Sequence, residues 1–237
     1  TSSGVEVTDF DISFSQNSGN ANDAVINSLT KTNGTPLSGN ESTIRIVLNI
    51  SSPPPSGLET IQITPTNAYA ICNSLGNRLS VSECTVNLTL IDRLVPTIND
   101  INIVADSIVT ITSSEDMYNT VGATGAISTN HFQATVYPND GNASEATIVN
   151  ITNDNQGPLL GGEIIVRIGF VTDLLPSGVE EMTISPAGPA YPIYDPENNQ
   201  MPINTISARV SLPDRLPPTI VSESAEIAVD NSYVEFS

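Results

Sequence analysis

One segment of the chain is written twice. Asp92-Arg93-Leu94-Val95-Pro96-Thr97-Ile98 returns as Asp214-Arg215-Leu216-Pro217-Pro218-Thr219-Ile220, at a spacing of 122 residues. The same offset pairs Phe10 with Phe132 and Ile44-Arg45-Ile46 with Val166-Arg167-Ile168. Ser56-Gly57-Leu58-Glu59 and Ile63-Thr64-Pro65 reappear as Ser177-Gly178-Val179-Glu180 and Ile184-Ser185-Pro186 after a one-residue indel, and the register recovers at Tyr69/Tyr191. Matches that keep their order over such a length mean a duplicated unit. The Asp-Arg-Leu-x-Pro segments read as junctions, because proline there resists helix and strand continuation and stiffens the chain. Residues 1–95 are then a repeat lacking its first strand or strands, and 96–217 a complete one. Residues 218–237 are either the opening strands of a following repeat or a donor strand for the next subunit.

Within each unit apolar residues alternate with period two, the mark of half-buried strands. Phe10, Ile12 and Phe14 share a face, as do Ile44, Ile46, Leu48 and Ile50, and Val86, Leu88 and Leu90. The second copy gives Ile164, Val166, Ile168 and Phe170, then Ile206, Ala208, Val210 and Leu212. Turn residues such as Ser18-Gly19-Asn20 and Asp140-Gly141 separate the runs, and no segment carries a capped helical period. The expected fold class is all-β: tandem immunoglobulin-like β-sandwiches of about 122 residues each.

Composition removes several functions. The chain holds 26 acidic and 7 basic residues, for a formal net charge of −19, and Lys31 is its one lysine. Such a chain does not neutralise nucleic-acid phosphates, and anionic lipid headgroups repel it. No apolar run is long enough for a membrane-spanning helix, so direct membrane insertion is not expected. With one histidine, His131, and two cysteines, no zinc site is expected. His131 beside a strand start reads as a surface residue. No nucleophile elbow, phosphate loop or carboxylate pair stands out, and the chain is not expected to be an enzyme or to carry a cofactor.

The remaining candidate sites are structural. Cys72 and Cys84, present in the first unit only, either brace a hairpin as a disulfide or stay as two buried thiols; the disulfide is the expectation in a secreted chain. Calcium is the one candidate ion, at Asp92, Asn99, Asp100 and Asp214 beside the junctions, because hard cations take carboxylate and amide oxygens. The bland alternative is that these side chains cap turns or meet water. Asn33, Asn40, Asn49, Asn87, Asn142 and Asn150 begin glycosylation sequons, although a chain so rich in Asn, Ser and Thr produces about as many by composition. Ile227, Val229, Tyr233 and Phe236 are the apolar residues of the tail that would serve strand donation.

The Ser-Gly-(Leu/Val)-Glu…Ile-(Thr/Ser)-Pro strand pair, the Ile193-Tyr194-Asp195 loop, Ser113-Ser114-Glu115 and the Asp-Arg-Leu-x-Pro junction together resemble tandem bacterial-type immunoglobulin-like or cadherin-like repeats of large cell-surface proteins. That resemblance implies an extracellular or cell-surface location and the work of a stalk, filament component or adhesin. Its implied partners are copies of itself or further repeats, with glycans or surface proteins as the alternative for an adhesin acting through its loops.

Overall fold

The computed structural model describes residues 4–83 and 85–218, together with the strands at 226–227 and 234–235. The chain is all-β and divides into two units, Thr1–Leu94 and Val95–Ser237. Unit 1 contains β1 (Phe10–Ser15), β2 (Ala24–Thr30), β3 (Arg45–Ile50), β4 (Thr60–Pro65) and β5 (Leu88–Thr89). Unit 2 contains β6 (Ile98–Ala105), β7 (Ile108–Met117), β8 (Phe132–Tyr137), β9 (Ala146–Asn153), β10 (Glu163–Thr172), β11 (Glu181–Pro186), β12 (Val210–Ser211), β13 (Glu226–Ile227) and β14 (Val234–Glu235). All pairings among the described residues are antiparallel.

The duplication is visible strand by strand. In unit 1, β4 lies between β1 and β5; in unit 2, β11 lies between β8 and β12. Phe10 faces Pro65 just as Phe132 faces Pro186. The hairpin β2–β3 sets Ile46 against Leu29, and β9–β10 sets Ile168 against Ile151. In unit 2, however, β10 continues into β7 and β6, giving the order β6-β7-β10-β9. Among the described residues of unit 1, β6 and β7 have no counterpart.

That difference decides the cores. Unit 2 gathers sixteen buried apolar side chains into one cluster drawn from its β6-β7-β10-β9 and β12-β11-β8 sheets and the loops between, with Val109 and Ile111 of β7 fully enclosed beside Val166 and Ile168 of β10. The corresponding cluster of unit 1 holds four: Ala24, Ile61, Ile63 and Leu90. Ile44, Ile46 and Leu48, the counterparts of buried Val166, Ile168 and Phe170, are only half-buried.

In each unit an equivalent glutamate is buried under a turn. Glu59 and Glu180 are both fully buried. Oε1 of Glu59 accepts from the Ala21 N–H at 2.7 Å, and Oε2 from the Ser56 N–H at 2.9 Å. Glu180 accepts from the N–H groups of Asn142 (2.6 Å), Ala143 (3.0 Å) and Ser177 (2.8 Å). The turn above it carries two residues at positive φ, Asn17 and Ser18 in one unit and Asn139 and Asp140 in the other. A glycine follows each time because the carboxyl group passes close: a Cβ on Gly19 or Gly141 would stand 2.3 Å from the glutamate Cδ. The junction segments are tied down as well. Arg93 N–H donates to the Pro55 carbonyl and Arg215 N–H to that of Pro176, each at 2.9 Å, so up to these arginines the chain is folded onto its own unit rather than free.

Alternation misplaces three apolar runs. Val86 and Ile206 are exposed, whereas Leu90 and Leu212 are buried. Ile63 N–H donates to Thr85 Oγ1 and Ile184 N–H to Ser207 Oγ, both at 2.9 Å, so beside Val86 and Ile206 a hydroxyl stands in the ladder. Leu88 lies opposite buried Ile61, on the apolar face, and is exposed because that face of unit 1 is open. Ile164 is exposed because the β7–β10 register shifts between Glu163 and Ile165.

Burial by itself would raise the pKa of Glu59 and Glu180; the converging amide donors outweigh it, lower Glu59 and hold Glu180 at about 2. A carboxyl lowered by folding contributes stability that is complete above its ordinary value of 4.5 and is lost as pH falls toward about 2. Acid titration followed by circular dichroism is therefore expected to show unfolding in that window, and Glu180→Gln should lower stability at neutral pH while flattening the acid limb. Gly141→Ala should cost about 2–3 kcal/mol in denaturant unfolding, whereas Gly4→Ala, with open space around it, should change nothing.

Candidate functional site

The unequal cores leave one feature that is not structural filler. β3 pairs with β2 along one edge; among the described residues its other edge has no partner. In unit 2 the matching edge of β10 is covered by β7, with Val166 facing Ile111, Arg167 facing Thr110 and Ile168 facing Val109. Beside the open edge of β3 lies a groove of about 780 Å³, lined by Ile46, Leu48 and Ile50 of one sheet and by Ile61 and Leu90 behind them. Its walls are the residues that β6 and β7 enclose in unit 2. An open strand edge over apolar surface is a template for another strand.

Arg45 opens β3 and is exposed, with its guanidinium donating to the Thr32 carbonyl. Among the described residues it has no carboxylate partner; the ion pairs there are Lys31–Glu41 at 3.6 Å and Arg209–Glu181 at 3.1 Å.

The remaining sequence candidates fall into distinct places. Cys72 is exposed and carries a free thiol, which departs from the expected disulfide as well as from the buried alternative, and Cys84 lies outside the described residues. All six sequon asparagines are exposed: Asn49 on β3, Asn150 on β9, and Asn33, Asn40, Asn87 and Asn142 outside the strands. Asn33 is itself engaged, since its Oδ1 accepts from the Thr35 N–H and hydroxyl. The junction oxygens close local turns. Asp92 Oδ1 accepts from Leu94 N–H, Asp214 Oδ1 from Leu216 N–H, and Asp100 from Ile101 N–H and the Asn102 amide, while Asn99 Oδ1 accepts from the Thr97 hydroxyl. Among the described residues, Asp100 and Asp214 join no cluster of three acidic, histidine or cysteine side chains.

His131 corrects its surface assignment: it is buried. Its Nδ1 accepts from the Ser128 N–H at 3.0 Å, its ring meets Tyr191 edge to face at 5.8 Å, and burial lowers its pKa. It closes the 3₁₀ turn that leads into β8. Of the tail residues, Ile227 lies on β13, opposite Val234 of β14. Val229, Tyr233 and Phe236 lie outside the described residues. Among the described residues no helix is long and apolar enough to cross a membrane.

The open edge was legible only by comparing the two copies, since the apolar alternation of β3 is the same as that of β10. No family model, curated protein or solved structure matches the chain.

The groove makes a measurable asymmetry. Ile168→Ala removes a fully enclosed side chain and should cost about 3 kcal/mol, while Ile46→Ala in the unassembled chain should cost only about 1 kcal/mol. Chemical unfolding of the two variants side by side checks this.

Proposed function

We propose that the chain is a structural component of an extracellular filament or surface appendage, built from immunoglobulin-like sandwiches placed end to end and joined by strand addition from residues 218–237. The observation that carries the proposal is the open edge of β3 above an apolar groove, at the place where the other copy is closed by β7. An apolar sheet edge left bare attracts pairing of any available strand, so chains that keep one usually employ it. Donor and acceptor then lie on different parts of the molecule. Contacts of that kind do not close on themselves and propagate as a fibre.

Composition fits such work. The surface is coated with Asn, Ser and Thr and its charge is acidic; Arg45 and Arg93 border the groove, and other cations fasten strands and loops. Arg209 stacks 3.8 Å over Tyr137 and pairs with Glu181 on the outer face of unit 2; Arg78 stacks 3.9 Å over Tyr69 in unit 1. The first of these contacts fastens a loop to β8 and the second joins two loop residues. Same-sign charge on a fibre surface also keeps neighbouring fibres apart. The proposal requires no cofactor and no catalytic group.

Electron microscopy and light scattering of the purified chain at neutral pH test this. Unbranched polymers with a repeat of two units are expected, and removal of residues 221–237 should leave short or monomeric particles. A chain that stays monomeric at high concentration would overturn the proposal. Expressed in a glycosylating host, the chain should also lose mass on treatment with an N-glycosidase, read by intact mass.

A further inference from the structure

Resting on the filament reading and making it specific, we propose that the groove of unit 1 receives the β13–β14 hairpin of a second copy of this chain. It enters as two strands, in the register by which β6 and β7 close unit 2, with Glu235 opposite Arg45.

Unit 2 supplies the template. There β7 lies against β10 with Ile168 facing Val109 and Arg167 facing Thr110, and β6 lies outside β7 with Ile103 facing Val109. β13 and β14 repeat the inner part of that hairpin. Ile227 faces Val234 as Ile103 faces Val109, and Glu226 faces Glu235 where Asn102 faces Thr110. In sequence, six residues separate Ile227 from Val234 where five separate Ile103 from Val109. Val234 is thus the counterpart of Val109, a β7 residue that is fully enclosed in unit 2. Laid on β3 in the same register, Val234 comes opposite Ile46, which is half-buried and lines the groove.

Charge selects this hairpin. Where β6 and β7 place neutral Asn102 and Thr110 in register, β13 and β14 place two glutamates directly opposite, an arrangement that repels. The third strand in that row would be β3, and its residue there is Arg45, exposed and without a carboxylate partner among the described residues. A row of Arg45, Glu235 and Glu226 relieves the repulsion that the hairpin carries alone. A two-stranded hairpin is also marginal by itself, and among the described residues β13 and β14 pair only with each other.

The test uses the full chain with Cys72→Ser and Cys84→Ser, so that only introduced thiols react. Arg45→Cys combined with Glu235→Cys should give, on mild oxidation, a ladder of disulfide-linked dimers and higher multimers on a non-reducing gel. Asn49→Cys with Glu235→Cys, four residues out of register, should give far less. Independently, Arg45→Glu or Glu235→Arg should each weaken self-association about fivefold, and the two together should restore it. Polymers without a ladder, and indifferent to the charge swap, would remove the hairpin contact and leave the filament standing. A cross-link confined to single chains would show that the hairpin serves its own chain, and would overturn the proposal. Monomers with no cross-link would remove both the contact and the filament.

Discussion

A carboxylate enclosed beneath a ring of backbone amides holds each unit together. Glu59 and Glu180 stand at the start of the central strands β4 and β11 and reach across to the turn after β1 and β8. They also hold the loop that begins at Ser56 and Ser177. The same residues offer their backbone carbonyls to Leu90 and Leu212, which fixes where the last strand returns. A buried charge is tolerated only when its lone pairs are filled by donors of fixed geometry. Turn, glycine and central strand must therefore all be in place before the charge is stable. The glycine at position 19 or 141 follows from that requirement, since the carboxyl occupies the volume a Cβ would take.

With one half of the sandwich anchored alike in both units, their difference lies in the other half. The β2–β3 hairpin of unit 1 is correctly formed, yet its apolar face lacks the layer that β6 and β7 add in unit 2. Ile46 and Ile168 are the same residue at the same register with different burial. Strand pairing and core burial are thus coupled: an uncovered edge is also an incomplete core. The apolar surface left open on unit 1 is the surface that unit 2 has already buried within itself.

Much of the fold was legible in the sequence because period-two alternation reports which face is apolar, and β1, β3, β8 and the body of β10 follow it. It failed where side-chain chemistry replaced backbone chemistry. The hydroxyls of Thr85 and Ser207 accept ladder hydrogen bonds beside exposed Val86 and Ile206, and a hydropathy pattern carries no trace of that. His131 was misread for a related reason: a polar residue reads as exposed unless its partners are known, and Ser128 and Tyr191 supply them. The Ser-Gly-x-Glu motif was visible as a repeat, but nothing local explains why a glutamate should be buried.

The sequence by itself determined the duplicated unit, the all-β class and the acidic, Asn/Ser/Thr-rich character, because periodicity and composition are properties of residues in order. Only the tertiary structure decided which edge is covered, which carboxylate is enclosed and which apolar face stays open. Those depend on partners that are distant along the chain, and a strand carries the same alternation whether or not another strand lies beside it.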